Sequence, residues 1–296
     1  MVVFLPMRVG TRFLRKGCNM ATYEGRSNWV GFFLVLPALL VLLILYVYPL
    51  ILSIYSSFVH NGVVGLANYG KAFDLYGKDI FYTLFVTVVT VAFVFGVSIG
   101  VASYLRFKEW KFLDYMYRLP LFIPFLIVGH AMRVFLARHG LLNMIISKLT
   151  GIQNLPGLAT DWVGLMLAFA WVLSPFAILI VLGAFKAIDD SYIEAALNLG
   201  SSKIKVVWDI LIPLARPSII VAFVLTFIRT ISSLTIPLMV GPPKPTMLPV
   251  DMMFRINYYN DWGVANALGV VSYLIVIGFA MYYLRFMMVE RGGLKH

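Results

Sequence analysis

Residues 192–213 read YIEAALNLGSSKIKVVWDILIP, a polar, amphipathic island between two long hydrophobic runs. Asp189, Asp190 and Ser191 stand before it as N-cap residues. Ile193, Ala196 and Leu197 fall on one face at helical spacing. Gly200 follows, where a left-handed residue ends a helix. Ser201 and Ser202 cap a second helix in which Ile204, Val207, Ile210 and Leu211 repeat on one side. Pro213 is expected to stop that helix and Pro217 to open the next hydrophobic run. The expected product is helix, hinge, helix, with an apolar stripe. Such a stripe suits a hydrophobic groove of a partner protein, the membrane surface, or the underside of the chain's own bundle.

The flanking runs fix the class. Of 296 residues, 61% are hydrophobic and 12% charged, and the mean hydropathy is +0.90. A soluble domain carries about 25% charged residues, so lipid is the solvent for most of this chain. The net charge of +11 does not point to nucleic acid, because the basic residues sort by membrane side and form no single stripe. Cys18 is the single cysteine, an incidental residue of the N-terminal tail. It leaves no internal disulfide and no cysteine-based metal site.

A membrane helix needs about 20 mainly apolar residues. Trp29–Phe58, Ile80–Leu105, Trp162–Phe185 and Trp262–Leu284 contain no charge. Leu119–Met132 is uncharged but short, so its helix must extend at its ends, and Pro120 and Pro124 are placed to kink it. Pro217–Val240 has the length but carries Arg229. With the N-terminus inside, sixteen Lys and Arg residues lie in cytoplasmic segments and seven in external ones. That bias supports an all-α membrane fold of six transmembrane helices with both termini cytoplasmic. The parts are a tail at 1–28, a permease domain at 29–289 with a cytoplasmic loop at 186–216, and a tail at 290–296. The basic first 28 residues suit a signal peptide, but a cleaved signal has an apolar core of only about 7–15 residues. Trp29–Phe58 is therefore expected to be retained, with Met7 and Met20 as alternative starts. Asn61–Asp79 and Gly140–Asp161, rich in Gly, Asn and Pro, read as external loops.

Glu194-Ala195-Ala196, three residues, Gly200, nine residues and Ile210-Leu211-Ile212-Pro213 together resemble the EAA motif of type I binding-protein-dependent ABC importer permeases. The departure is Ile212, where the family pattern has Leu. The resemblance covers most of the chain, from the first span through Asn68-Tyr69 to the sixth. It implies that the loop couples to a cytoplasmic ATPase. Glu194 would make polar contacts, Ala195 and Ala196 would allow close approach, Gly200 would supply the turn, and Ile210 and Pro213 would close the motif. It also implies a second permease subunit, identical or similar, two ATP-binding subunits that carry ATP and Mg, and an extracytoplasmic solute-binding protein. The setting is the plasma or inner cell membrane. No cofactor is expected in this chain.

The residues agree that the chain is no enzyme. Gly200-Ser201-Ser202-Lys203 lacks the upstream glycine of a phosphate-binding loop, and there is no His-Glu-x-x-His or Gly-x-Ser-x-Gly. His60, His130, His139 and His296 are scattered. His130, in the third span, either touches solute or packs as a hydrogen-bonded core residue. Arg229, an intramembrane charge, either pairs with another helix or lines the pathway, with Ser232, Ser233 and Thr235 as nearby hydroxyls. Gly241–Thr246 and Asn260–Ala267 resemble the polyamine, ferric-ion and phosphonate branch and lack the Gly-Gly-Gly-Pro run of sugar permeases. Arg229, without an acidic partner in its span, speaks against a free polyamine. The expected solute is small and polar, anionic or metal-complexed, with a sugar as the alternative. A secondary transporter is the rival of another class, though matching internal repeats with broken helices are missing. A membrane enzyme or assembly factor, the other rival, would need more clustered ionisable residues than Asp189, Asp190 and Glu194 supply.

Overall fold

The computed structural model describes residues 27–152 and 154–292. The two expected tails, Cys18 and the alternative starts lie almost wholly outside them. The chain divides into two units, residues 1–52 and 53–296.

Helix α1 runs as Ser27–Leu42, a π turn at Leu43–Val47 and Tyr48–Phe58. A two-stranded antiparallel hairpin follows, β1 Val59–His60 with β2 Val63–Val64. Its turn is Asn61-Gly62, both at positive φ (50° and 80°), the geometry that matches the strand twist in a two-residue loop. Helix α2, Ala67–Phe107, is 41 residues long. It starts thirteen residues before the expected span at Ile80, because the external segment read as a loop is itself helical.

The third span is broken rather than kinked. α3 (Lys111–Met116) and a 3-10 turn at Leu119–Phe122 meet α4 (Phe125–Phe135) at 108°. Pro124 forces the break: it has no N–H to give, and its ring pushes Ile123 into extended backbone (φ −98°, ψ 124°). The segment expected as a loop at 140–161 holds α5, Leu141–Thr150, closed by left-handed Gly151.

α6 (Trp162–Lys186) is capped by the Asp161 carboxylate, which accepts from the Trp162 N–H. α7 (Asp190–Asn198) leads into α8, one helix from Lys203 to Ile231. Pro213 therefore does not stop a helix. A π turn at Val207–Leu211 precedes it, with the Ile212 N–H donating to the Val207 carbonyl. The widened turn relieves the clash between the proline ring and the carbonyl four residues back. α1 uses the same device: the Tyr48 N–H donates to the Leu43 carbonyl just before Pro49. α8 ends at Ile231, short of the expected Val240, and α9 (Thr235–Met239), α10 (Leu248–Asn257) and α11 (Trp262–Gly292) complete the chain.

Among the described residues five helices are long and apolar enough to cross a membrane, or six if the bent pair counts as one span. The core lies where α2, α6 and α8 pack, around Val94, Ala102, Ala168, Phe185 and Ala222. Phe227 of α8 stacks on Phe279 of α11 at 3.8 Å. Four buried threonines are satisfied inside their own helices: Thr83 donates to the Asp79 carbonyl, Thr87 to that of Thr83, Thr226 to that of Ala222 and Thr230 to that of Thr226. Back-bonding of this kind lets a polar side chain sit in an apolar interior at little cost.

Candidate functional site

The 186–216 loop is built on two caps. The Asp189 carboxylate accepts the Ser191 N–H at 2.8 Å, which starts α7 and holds that carboxyl below its usual range. At the far end Gly200 sits at φ +86°. Its N–H donates to Leu197 O and the Ser201 N–H to Ala196 O, the paired bonds of a Schellman ending. The Ser202 hydroxyl then accepts the Lys205 N–H and starts α8. Helix, hinge and helix are thus present with the expected residues at the expected places.

The faces differ from expectation. Ile193 is buried and Ala196 and Leu197 are half-buried against the chain's own core. Val207 and Leu211 are also interior and Ile210 is half-buried. The stripe assigned to a partner therefore packs mainly under its own bundle, because the second helix is the first turns of α8. What faces outward is a different set: Tyr192, Glu194 and Ala195 on α7, then Leu199, Ile204 and Trp208, exposed by 88%, 74% and 64%. Gly200 has no atom within 4 Å of where a Cβ would lie. Pro213 is exposed on α8, one turn beyond this patch.

One residue that sequence reasoning counted only as a loop charge proves central to the loop. Arg106, in the last turn of α2, donates from Nε to Phe185 O at 2.9 Å and from Nη2 to Ile188 O at 3.1 Å. Nη2 also pairs with Asp190 Oδ1. A single guanidinium so joins the end of α2, the end of α6 and the first residue of α7.

The expected pathway residues fall at a discontinuity. Arg229 lies in the last turn of α8, and Ser232 is the C-cap. Ser233 and Leu234 carry the chain into α9. Arg229 is exposed, with its guanidinium 4.1 Å from the Phe176 ring centroid of α6. No carboxylate among the described residues pairs with it, and its contact with another helix is cation–π packing. His130 is exposed on α4, beside Gly129, whose Cα hydrogen side abuts Met239 of α9: a Cβ there would lie 3.2 Å from that side chain. The serines and Arg229 share one helix end, whereas His130 belongs to another element.

The outer end of α2 holds a second polar cluster that the sequence did not reveal. Asp79 accepts the Thr246 N–H at 2.7 Å and Lys244 Nζ at 3.2 Å, and Lys244 also reaches Asp251 at 3.0 Å. Both carboxylates are almost fully buried. Burial pushes the Asp251 carboxyl up to about 6. The hydrogen bond from Lys244 pulls against that, and the Asp79 charge adds to it. Arg255 donates to the Tyr76 hydroxyl at 2.6 Å, and Asp261 binds Lys71 at 2.7 Å. This frame borders a cavity of about 560 Å³ whose walls include Tyr76, Phe254, Tyr259, Arg133, Lys244 and Asp251.

Residues 92–291 match the family model described as binding-protein-dependent transport system inner membrane component. The trehalose/maltose transport system permease protein MalF of Thermococcus litoralis is 28% identical over 285 residues, 88% of this chain and 94% of that protein. The sulfoquinovosyl glycerol transport system permease protein SmoG of Agrobacterium fabrum is 28% identical over 277 residues, covering 85% and 88%. Permeases named for ferric ion and for spermidine/putrescine match at 23% and 24%. Among solved structures, a chain of a bacterial alginate ABC transporter in complex with an alginate pentasaccharide-bound periplasmic protein superposes with a TM-score of 0.74. It has 18% identity and covers 86% of this chain and 92% of its own, a likeness of fold.

Proposed function

Because the chain belongs to the binding-protein-dependent transport system inner membrane component family, and is thus an inner-membrane permease subunit of an ABC importer, we propose that the solute it passes is a sugar or sugar conjugate. The secondary-transporter reading ends with that membership. The expected ferric, polyamine or phosphonate solute yields to the sugar alternative. The observation that carries the sugar reading is the near full-length match to two permeases named for sugars, at higher identity than those named for ferric ion or polyamine.

The chain's own geometry supports it. Arg229 spreads its charge on the Phe176 ring instead of standing as a bare anion hook. The break at Ser232–Leu234 leaves Arg229, Ser232 and Ser233 at a helix end, where broken spans place polar contacts to a solute. In this reading they donate to sugar hydroxyls, and His130 approaches from α4. The chain pairs with a second permease subunit and receives solute from an extracytoplasmic binding protein. Through Glu194, Ala195, Ala196, Gly200, Ile210 and Pro213 it docks onto one of the two ATP-hydrolysing subunits, which hold the ATP and Mg. The patch of Tyr192, Leu199, Ile204 and Trp208 supplies the apolar contact.

The test is a thermal-shift panel on the cognate binding protein, followed by uptake in cells that carry the whole transporter. Maltose, trehalose, a sulfonated glycoside, ferric citrate, spermidine and molybdate form the panel. A sugar alone should stabilise the binding protein and accumulate. Accumulation of ferric ion or spermidine without any sugar would overturn the reading.

A further inference from the structure

We propose that Arg106 is the positioning residue that makes the coupling helix and the membrane spans move as one body. The inference rests on the reading of the 186–216 loop as the ATPase docking site.

Arg106 ends α2, the long helix packed along α6 in the core. Its side chain is only 13% exposed, held among the chain's own atoms. Two of its bonds go to Phe185 O in the last turn of α6 and to Ile188 O two residues past its end, where a cation meets carbonyl acceptors and the negative end of the helix dipole. The third goes to Asp190 at the start of α7. Only residues 187–189 separate α6 from α7. Hence α7 cannot tilt against α6 without stretching bonds to the same guanidinium. The planar fork is what reaches three acceptors at once; a lysine ammonium on a flexible stem does not reproduce it. The bundle is continuous with the loop through Ile193, which is buried, and Leu197, but those contacts are apolar and slide more easily than directed hydrogen bonds.

The experiment uses the whole transporter in proteoliposomes, with Arg106→Lys, Arg106→Ala and Asp190→Asn beside Glu194→Lys. Three quantities are read: ATPase subunits retained per permease, ATP hydrolysed, and solute imported per ATP. Arg106→Lys and Arg106→Ala should keep their ATPase subunits and hydrolyse ATP, while solute per ATP falls at least fivefold. Asp190→Asn should lie between them and wild type, since that carboxylate's side chain is 72% exposed and its pair is half in water. A merely structural role predicts less assembled complex with an unchanged ratio per complex, and that result overturns the proposal. Should Arg106→Ala fail to assemble, Arg106→Lys decides: an unchanged ratio, or failed assembly there too, also overturns it. Glu194→Lys separates the two layers. If it leaves ATPase retention intact, the docking reading falls and takes this inference with it. If it strips the ATPase while the Arg106 variants keep a normal ratio, only the Arg106 inference fails.

Discussion

Substitution of Gly200 tests the proposed coupling role of the 186–216 loop by backbone conformation alone. The residue sits at φ +86° with nothing within 4 Å of the position a Cβ would take. Within this chain a new side chain therefore meets no wall, and its cost is conformational. Holding an L-residue in the left-handed region costs about 1–2 kcal/mol, and asparagine escapes most of it. A β-branched residue is worse placed than alanine. If the docking-competent turn is the Schellman ending seen here, Gly200→Ala should weaken ATPase binding by up to about 5–30-fold, since each 1.4 kcal/mol is tenfold. Gly200→Asn should stay within about threefold of wild type, and Gly200→Val should exceed alanine. Gly200→Pro cannot reach positive φ and loses the N–H that donates to Leu197 O, so it should abolish docking. The assay is titration of the purified ATPase onto labelled permease in nanodiscs, with thermal unfolding as a check on the fold. Asparagine and valine are similar in bulk. If the two are equally damaging, side-chain bulk against the partner is what matters and the backbone argument fails. A flat series, proline included, would refute the role of the turn.

Other consequences reach the rest of the molecule. Gly263→Ala would put a Cβ 2.6 Å from Asn68 Nδ2, and Asn68 is fully buried with bonds to Ser57 O, Val59 O and His60 Nδ1. It should lose about 2–4 kcal/mol in thermal unfolding, and Asn68→Ala in the same chain should restore part of that. Burial raises Asp251 from 3.8 to about 6, so the folded state holds this proton more tightly than the unfolded one. Stability from this group is complete at low pH and is lost as pH rises through about 4 to 6. Unfolding midpoints across that window should show it, and Asp251→Asn should flatten the slope. Arg229→Met should raise the half-saturating sugar concentration for uptake about tenfold or more, by loss of a charged donor. The same variant should leave ATPase retention unchanged; unaltered uptake would remove Arg229 from the pathway.

Hydropathy and caps made much of this fold legible. Charge-free runs located most spans, and Asp189, Gly200 and Ser202 each do what their side chains or conformational freedom predicted. The misses have physical causes. The start of α2 carries Lys71, Asp74, Lys78 and Asp79, which hide a helix from any hydropathy window. Pro213 reads as a stop under the rule for α-helix interiors, but a π turn before it removes the clash that the rule assumes. The cue to the break at Ser232–Leu234 is Pro237, which has no N–H for the Ser233 carbonyl and lies inside the apolar run rather than at its edge. Asn61-Gly62 did carry a hairpin signal that went unread beside the longer apolar runs. The apolar stripe of the loop was ambiguous in principle, because periodicity locates a buried face without saying what buries it. Arg106 and the Asp79–Lys244–Asp251 cluster depend on side chains between 7 and 172 residues apart. The solute expectation rested on two short external segments, whereas the permeases named for sugars match across nearly the whole chain.

The most direct measurement of the central claim is uptake by proteoliposomes that hold this permease, its partner permease, the ATPase subunits and a saturating binding protein. Labelled maltose or trehalose should accumulate only with internal-facing ATP and Mg, and accumulation should cease with Glu194→Lys. Accumulation driven by an ion gradient without ATP, or ATP-driven uptake that Glu194→Lys leaves untouched, would contradict the account.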